Sequence, residues 1–476
     1  MQNTIRFILD GNITEIQFDS EHRTPTTTVL QYLRSLPYHK GVKEGCAEGD
    51  CGACTVVIGE LGNGTIRYRN IDSCLMFLPM LHGKQLITVE NLRNPQNQLH
   101  PVQEAMVETG GSQCGFCTPG IVMSMFSLYR NKVHPTRDDI DDAITGNLCR
   151  CTGYKPIAEA AARASVHEGV DEFSRNEKST IAQLESILHE SIHVKTDLQE
   201  YFRPASLNEA LEIKHKYPDA IVISGSTDAA LRVTKGHELL SCVLDLSGIQ
   251  DLKSLNETEN EFIIGAGVVL NDINDRFCEK LPALGAMLSV FGSQQIRNLA
   301  TLGGNMGTAS PISDIPPVLM AYDATIELQN NTEKRVVSIY DYIVGYRTTV
   351  RKPNELIIAV RIPKSPHHTI IKSYKISKRK DLDISTVSAG FRLALNSQEE
   401  IASLVLAFGG MADRTKRATA TEQFLLGKQW TRHTVEEAMN HLENDFTPIS
   451  DARGSAAFRM IAAKNLLLKF WSETQD

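Results

Sequence analysis

Eight of the ten cysteines in this 476-residue chain fall within its first 151 positions, in two sets of four. The first set is Cys46, Cys51, Cys54 and Cys74; the second is Cys114, Cys117, Cys149 and Cys151. A metal centre held by four thiolates couples binding to folding, so each set demands a chain that wraps around one point. The amino terminus, Met1-Gln2-Asn3-Thr4-Ile5-Arg6-Phe7, begins as an alternating strand. It lacks a cationic flank before an apolar run, so no secretory leader is expected. A reducing cytoplasm is the expected compartment, where clustered cysteines mean metal more often than disulfide. No run of about 18 apolar residues occurs, so no membrane span is expected.

The first set has the spacing C-x4-C-x2-C, with nineteen residues between Cys54 and Cys74. Those first three positions match the plant-type ferredoxin spacing, which predicts a [2Fe–2S] centre. Gly45, Gly49 and Gly52 lie among them. They are expected to supply positive φ angles and close approach, so that backbone N–H groups turn toward sulfur. A structural zinc site is the alternative, although zinc favours paired C-x2-C knuckles. Around this loop, the alternation of residues 3–19 about Asp10-Gly11-Asn12 predicts a hairpin. Residues 28–36 read as a helix with Val29, Leu30 and Leu33 on one face, and residues 55–58 as a strand.

In the second set, Cys114 and Cys117 precede Thr118-Pro119-Gly120 and a helix to about Tyr129, with Thr118 as N-cap and Pro119 first. Residues 138–144 form another expected helix stopped at Gly146. Cys149 and Cys151 then precede a helix from about Tyr154 to Ala164. Both pairs therefore lie at helix amino termini, where partial positive charge favours an anionic cluster and lowers thiol pKa values. C-x2-C followed about thirty residues later by C-x-C is not a standard zinc spacing. Beside the first set, a second [2Fe–2S] centre is the better reading.

The length exceeds one hydrophobic core, so three or four domains are expected. A hydrophobic fraction of 42%, a charged fraction of 22% and a net charge of −8 describe an ordinary globular chain with no nucleic-acid footprint. Residues 165–200 are polar and charged, and read as a linker with a helical piece. Cys242 and Cys278 are isolated and read as buried small hydrophobes. Ala220-Ile221-Val222-Ile223-Ser224-Gly225-Ser226-Thr227-Asp228 reads as a buried strand entering a turn whose N–H groups suit a pyrophosphate or an ordinary loop. No G-x-G-x-x-G fingerprint occurs at this turn, which argues against a Rossmann unit. The segment from Gln295 through Thr301, Gly303, Gly304, Thr308 and Ser310 to Asp314 mixes close-approach glycines with hydroxyl donors and ends in an acid. It fits a phosphate-bearing cofactor, or a long structured loop.

Three motifs carry a family resemblance: E-G-C-A-E-G-D-C-G-A-C at 44–54, Q-C-G-F-C-T-P-G at 113–120 and G-N-L-C-R-C-T-G-Y at 146–154. With the run 300–314 and Asp451-Ala452-Arg453-Gly454-Ser455, the chain resembles the molybdenum hydroxylases of the xanthine oxidase family over nearly its whole length. Within them it is similar to the small iron–sulfur/FAD subunit of two-subunit bacterial xanthine dehydrogenases.

The resemblance implies an α+β multidomain fold. Its expected parts are a β-grasp, plant-type ferredoxin-like domain (1–90), a helical, four-helix bundle-like [2Fe–2S] domain (91–164) and a linker (165–198). A two-part α+β FAD-binding domain of the PCMH/VAO type (199–368) and an α+β C-terminal flavoprotein domain (369–476) follow. It implies two [2Fe–2S] clusters on the eight cysteines and FAD on Val222, Ile223, Ser224, Gly225, Ser226, Thr227, Asp228 and Ala229. Further FAD contacts are Phe291 beside the isoalloxazine, Thr301, Thr308, Asp314, Ile357 and Lys375. At 225–227 the chain departs from relatives with two consecutive glycines, which puts the shape of the turn in question. NAD is the implied acceptor, and the charged loop 377–381 is expected near the flavin. No substrate-converting residue is expected in this chain. The implied molybdopterin and purine site belongs to a separate large subunit, in a dimer of heterodimers. Gln113 is a candidate contact to that pterin, or a surface amide. The implied activity is oxidation of hypoxanthine and xanthine to urate. An aldehyde- or N-heterocycle-oxidising relative and a zinc-stabilised scaffold are the competing readings.

Overall fold

The computed structural model describes residues 3–19, 23–166, 170–188, 190–366 and 368–475. Met1 and Gln2 of the expected first strand, and positions 167–169 and 189 of the expected linker, lie outside them. The chain forms two compact units. The first is Met1–Gln250 with Gly292–Ala300; the second is Asp251–Phe291 with Thr301–Asp476.

In the first unit, β1 (Thr4–Leu9) and β2 (Asn12–Gln17) form the expected hairpin, with Asp10 and Gly11 both at positive φ. β3 (Thr55–Gly62), β4 (Thr65–Asp72) and β5 (Gln85–Ile87) complete a sheet in the order β2-β1-β5-β3-β4, with β1 and β5 parallel. β3 runs four residues beyond the expected strand, because it pairs with β4 along its full length from Thr55↔Asp72 to Gly62↔Thr65. Alternation splits its side chains between two cores. Val56 and Ile58 join Phe7, Val29, Leu30 and Leu33, while Val57 joins Ile121, Val122 and Phe126. The helix Val29–Ser35 therefore covers one face, with Thr28 as N-cap in a capping box.

The other face is covered by four helices, Pro101–Glu108, Thr118–Asn131, Arg137–Ile144 and Lys155–Ala164. Helix Glu172–Glu185 is the helical piece expected in the linker. Asp171 caps it and also binds Arg130 at 2.8 Å and His100 at 3.3 Å. A further sheet, β6 (Ile192–Lys195), β7 (Glu200–Arg203), β9 (Cys242–Asp245) and β8 (Ile221–Ile223), lies in the order β6-β7-β9-β8.

The second unit contains the antiparallel sheet β10-β11-β16-β12-β13, formed by Leu255–Glu257, Glu261–Gly265, Leu356–Pro363, Thr325–Gln329 and Lys334–Ser338. β14 (Ile343–Gly345) and β15 (Thr348–Thr349) form a small hairpin. A second sheet, β17 (Ile370–Ile376), β18 (Val387–Leu395), β19 (Ile401–Gly409) and β20 (Lys416–Arg417), packs against helices Thr419–Leu425, Arg432–Asp445 and Ala456–Ser472. Cys242 and Cys278 are half-buried rather than buried. Among the described residues no helix is long and apolar enough to cross a membrane.

Candidate redox-cofactor sites

The β3–β4 register builds half of the first site. Thr55 pairs with Asp72, so Cys54 and Cys74 flank the hairpin's open end, and both are buried. Their thiols hydrogen-bond each other, as do those of half-buried Cys46 and Cys51. Backbone N–H groups turn onto sulfur as expected: Glu48 and Asp50 donate to Cys46 Sγ at 3.4 and 3.3 Å. The Cys51 thiol's bond and these N–H groups hold Cys46 down to about 5 against burial. Its partner's thiol and burial push Cys51 up.

Gly49 and Gly52 have the expected positive φ, but Gly45 does not; Ala47, at φ 55°, is the third left-handed residue. Gly45 serves by close approach instead, since a Cβ there would sit 2.8 Å from Cys51 Sγ.

Around the second site, Cys114 bonds Cys151, both exposed, and half-buried Cys117 bonds buried Cys149. Cys117 itself is the N-cap of Thr118–Asn131, one residue before the expected cap, so Thr118 is helical. The Phe116 N–H and the Cys151 thiol lower Cys114. Burial opposes ionisation of Cys149, but the Thr152 hydroxyl, 3.2 Å away, and its N–H prevail. Cys117 departs from the expected lowering, because burial pushes it up to about 12 in spite of the helix end. In both sites the thiols associate two and two. Among the described residues no group of three or more His, Cys, Asp or Glu side chains is placed around a single ion. Four thiols in two pairs, with inward N–H donors, fit the donor set that a [2Fe–2S] centre would need.

A seam joins the two sites. Leu148 N–H donates to Cys51 O at 3.0 Å, linking a residue of the first set to the neighbour of Cys149. Asn147, buried, donates to Gly52 O and Thr55 Oγ1 at 3.0 and 3.1 Å. Gln295, fully buried, donates to Asn147 Oδ1 at 2.9 Å and Ser124 Oγ at 3.1 Å. A Cβ on Gly52 or Gly120 would come within 2.2–2.3 Å of a backbone carbonyl of the seam, so glycine is required at both, and one on Gly146 would meet the Gln295 amide at 2.1 Å. Sequence reasoning missed Asn147 and this use of Gln295. The segment 295–314, read as one cofactor loop, is divided: its start packs among the cysteine sets, with Arg297 on Asp142 at 2.5 Å, and Thr301 onward lies in the second unit.

The candidate flavin residues fall in both units. In the first, residues 222–229 run from the end of β8 into helix Ala229–Thr234. Only Ile223 of that short strand is buried. A Cβ on Gly225 would lie 1.7 Å from Leu299 O, and Ser226 takes the left-handed φ of 58°. The Ser226 hydroxyl donates to Leu75 O, beside Cys74. In the second unit, Thr301 caps helix Leu302–Thr308 by accepting from Gly304 N at 3.0 Å, and Thr308 donates to Gly304 O. A Cβ on Gly307 would touch Ile357 Cδ1 at 3.5 Å. Lys375 Nζ draws three candidates together: it bonds Asp314 Oδ2 at 3.1 Å and Val290 O, next to Phe291, at 3.0 Å. Ser385 also donates to Asp314, at 2.5 Å.

Comparisons with known proteins match three domain families along the chain. Residues 88–162 match a [2Fe-2S] binding domain, 194–365 the FAD binding domain in molybdopterin dehydrogenase, and 372–474 the CO dehydrogenase flavoprotein C-terminal domain. The xanthine dehydrogenase of Emericella nidulans is 34% identical over 99% of this chain and 38% of its own length. The chain belongs to the xanthine dehydrogenase-family molybdenum hydroxylases, as their iron–sulfur/FAD portion.

A second relative of this molybdenum hydroxylase chain, xanthine dehydrogenase of Calliphora vicina, is 33% identical over 94% of it and 37% of the relative. The chain thus spans well under half the length of the curated relatives it matches. Among solved structures, carbon monoxide dehydrogenase from Hydrogenophaga pseudoflava superposes with TM-score 0.54 at 24% identity, over 57% of this chain and 95% of that one. Quinoline 2-oxidoreductase from Pseudomonas putida 86 gives TM-score 0.52 at 25% identity, over 57% and 95%.

Proposed function

We propose that this chain is the electron-transfer subunit of a xanthine dehydrogenase, taking electrons from a molybdenum cofactor in a large partner subunit and delivering them to NAD. Two [2Fe–2S] clusters and FAD, when bound, supply the one- and two-electron chemistry. Cys46, Cys51, Cys54 and Cys74 hold one cluster, and Cys114, Cys117, Cys149 and Cys151 the other. The turn 222–229, with Phe291, Thr301, Thr308, Asp314, Ile357 and Lys375, holds FAD. The domains follow as a β-grasp ferredoxin-like part, a four-helix iron–sulfur part, a linker, a two-part FAD domain and a C-terminal flavoprotein domain, with the boundaries given above. The charged loop 377–381 is assigned to the acceptor side of the flavin.

One observation carries the reading: two doubly paired thiol sets share a seam, and the candidate flavin turn is bonded beside Cys74. That order supports a relay from the second set to the first and on to FAD. The chain's own residues hold and space the carriers and aim N–H groups at sulfur. A second reading, a subunit acting on another substrate such as an aldehyde or N-heterocycle, is favoured by the likeness to quinoline 2-oxidoreductase.

Native co-purification tests the proposal. A brown complex with a molybdopterin-binding large chain, four irons and one FAD per copy of this chain, and xanthine-dependent NAD reduction is expected. Activity on aldehydes or heterocycles alone favours the second reading. A colourless protein with stoichiometric zinc would sink both and leave the scaffold.

A further inference from the structure

We propose that Ser226 is a positioning residue that fixes the distance between the flavin turn and the first cysteine set. The proposal rests on the assignment of residues 222–229 to FAD and of the first cysteines to a cluster. Ser226 is 6% exposed and has φ 58°, a conformation that favours glycine because a Cβ crowds the following carbonyl. Its hydroxyl donates to Leu75 O, one residue from Cys74. The preceding Gly225 is wedged against the Leu299 carbonyl, so the turn has little freedom to slide.

The short helix that follows is fastened at its other end as well. Lys235 Nζ donates to Cys46 O at 3.0 Å and pairs with Glu48 at 3.3 Å. One helix with its turn therefore clasps the first set at Cys46 and beside Cys74. Serine at 226 trades backbone strain for a hydroxyl bond, and that bond ends at the shell of a thiolate ligand.

A single electron passing from the first centre to the flavin oxidises the one and reduces the other without making or breaking a bond. Its rate falls steeply with separation, so a clasp that sets separation sets the rate. A bond that merely stabilised the loop would behave differently. Glycine would then relieve the strain and change nothing else.

The test compares Ser226→Gly, Ser226→Ala and Lys235→Met in the full chain with its partner. Iron and FAD content, thermal midpoint, relaxation coupling between the first centre and reduced flavin by EPR, and flavin-to-centre electron exchange after flash photoreduction are measured. Ser226→Gly is expected to keep iron, FAD and a midpoint at or above that of the parent. Its coupling weakens and its exchange slows several-fold. Ser226→Ala keeps the strain without the bond and loses thermal stability as well. Lys235→Met, at an exposed side chain, slows exchange less and gives the same readout should glycine disturb folding. Parental coupling and exchange in both Ser226→Gly and Lys235→Met, with full cofactor content, overturns the positioning role alone. A parent protein without iron or flavin overturns the underlying assignment and this proposal with it.

Discussion

The two cysteine sets are built from the same ligand and meet at one seam, yet they differ in burial: the first has two buried and two half-buried thiols, the second two exposed, one half-buried and one buried. Cys54 and Cys74 lie at the end of a fully paired hairpin, buried at 2% and 1% exposure. Cys114 and Cys151 stand exposed on helix-flanking loops, with Phe116 at 48% and Leu148 at 44% beside them. A centre enclosed by its own chain exchanges electrons with other parts of that chain. An open one, flanked by bare apolar side chains, is suited to a partner. The difference supports the proposed relay order, in which the more open set is the one offered to a partner and the more buried set lies next to the candidate flavin turn.

The strongest way to break this comparison is to remove one ligand from each set. Cys149→Ser is expected to halve the iron, abolish purine oxidation with the partner, and leave FAD and NADH-to-dye activity in place. Cys54→Ser is expected to halve the iron as well; both side chains lie in packed cores, Cys54 at 2% and Cys149 at 7% exposure, so each change lowers the melting temperature, Cys54→Ser somewhat more. Iron assay, calorimetry and steady-state rates separate the two. Purine oxidation that survives Cys149→Ser unchanged would overturn the relay order.

Next in size is the seam. Gln295→Ala removes one of two donors from Asn147 Oδ1 and from Ser124 Oγ and leaves a cavity, which costs about 1–3 kcal/mol. Chemical denaturation measures it, and a loss below about 1 kcal/mol would mean that water replaces the amide.

A smaller effect is expected at the clamp on the second set's helix. Burial opposes ionisation of Asp171, yet His100, Arg130 and Ser174 hold it down to about 2. A depressed carboxylate stabilises the fold above its unfolded pKa of about 3.9, and that stability, of order 2 kcal/mol, is lost as pH falls through about 2. Asp171→Asn should therefore be less stable at neutral pH and lose this acid-dependent part, as unfolding at stepped pH reads directly. The smallest change expected is Lys43→Ala. Its ammonium lies 5.8 Å from the centroid of the exposed Phe116 ring, a contact worth about 0.5 kcal/mol in denaturant unfolding.

Much of this was legible in the residues. Asp10-Gly11 between alternating runs specified the first hairpin, because both turn positions need positive φ. Val29, Leu30 and Leu33 on one face specified the first helix, which starts one residue later than expected because Thr28 is its N-cap. The cysteine spacings grouped the eight thiols into two sets of four, and within each set the structure brings them together in pairs. Other parts were hidden by their range. The pairing of Cys114 with Cys151, and of Cys117 with Cys149, crosses more than thirty residues and two helices. Gln295 read as the start of a cofactor loop because its partners Asn147 and Ser124 are about 150 and 170 positions away. The left-handed turn at Ser226 was invisible for a related reason. Serine rarely adopts φ 58°, and only the bond to Leu75 O shows what holds it there.

The sequence by itself determined where the first hairpin turn and the helices around the cysteines fall, because those depend on neighbours within a few residues. Only the tertiary structure decided that the first set is more buried than the second, and that a segment after Phe291 joins them. Burial and the carbonyls that side chains meet are set by elements distant in the chain, and no local pattern records those distances.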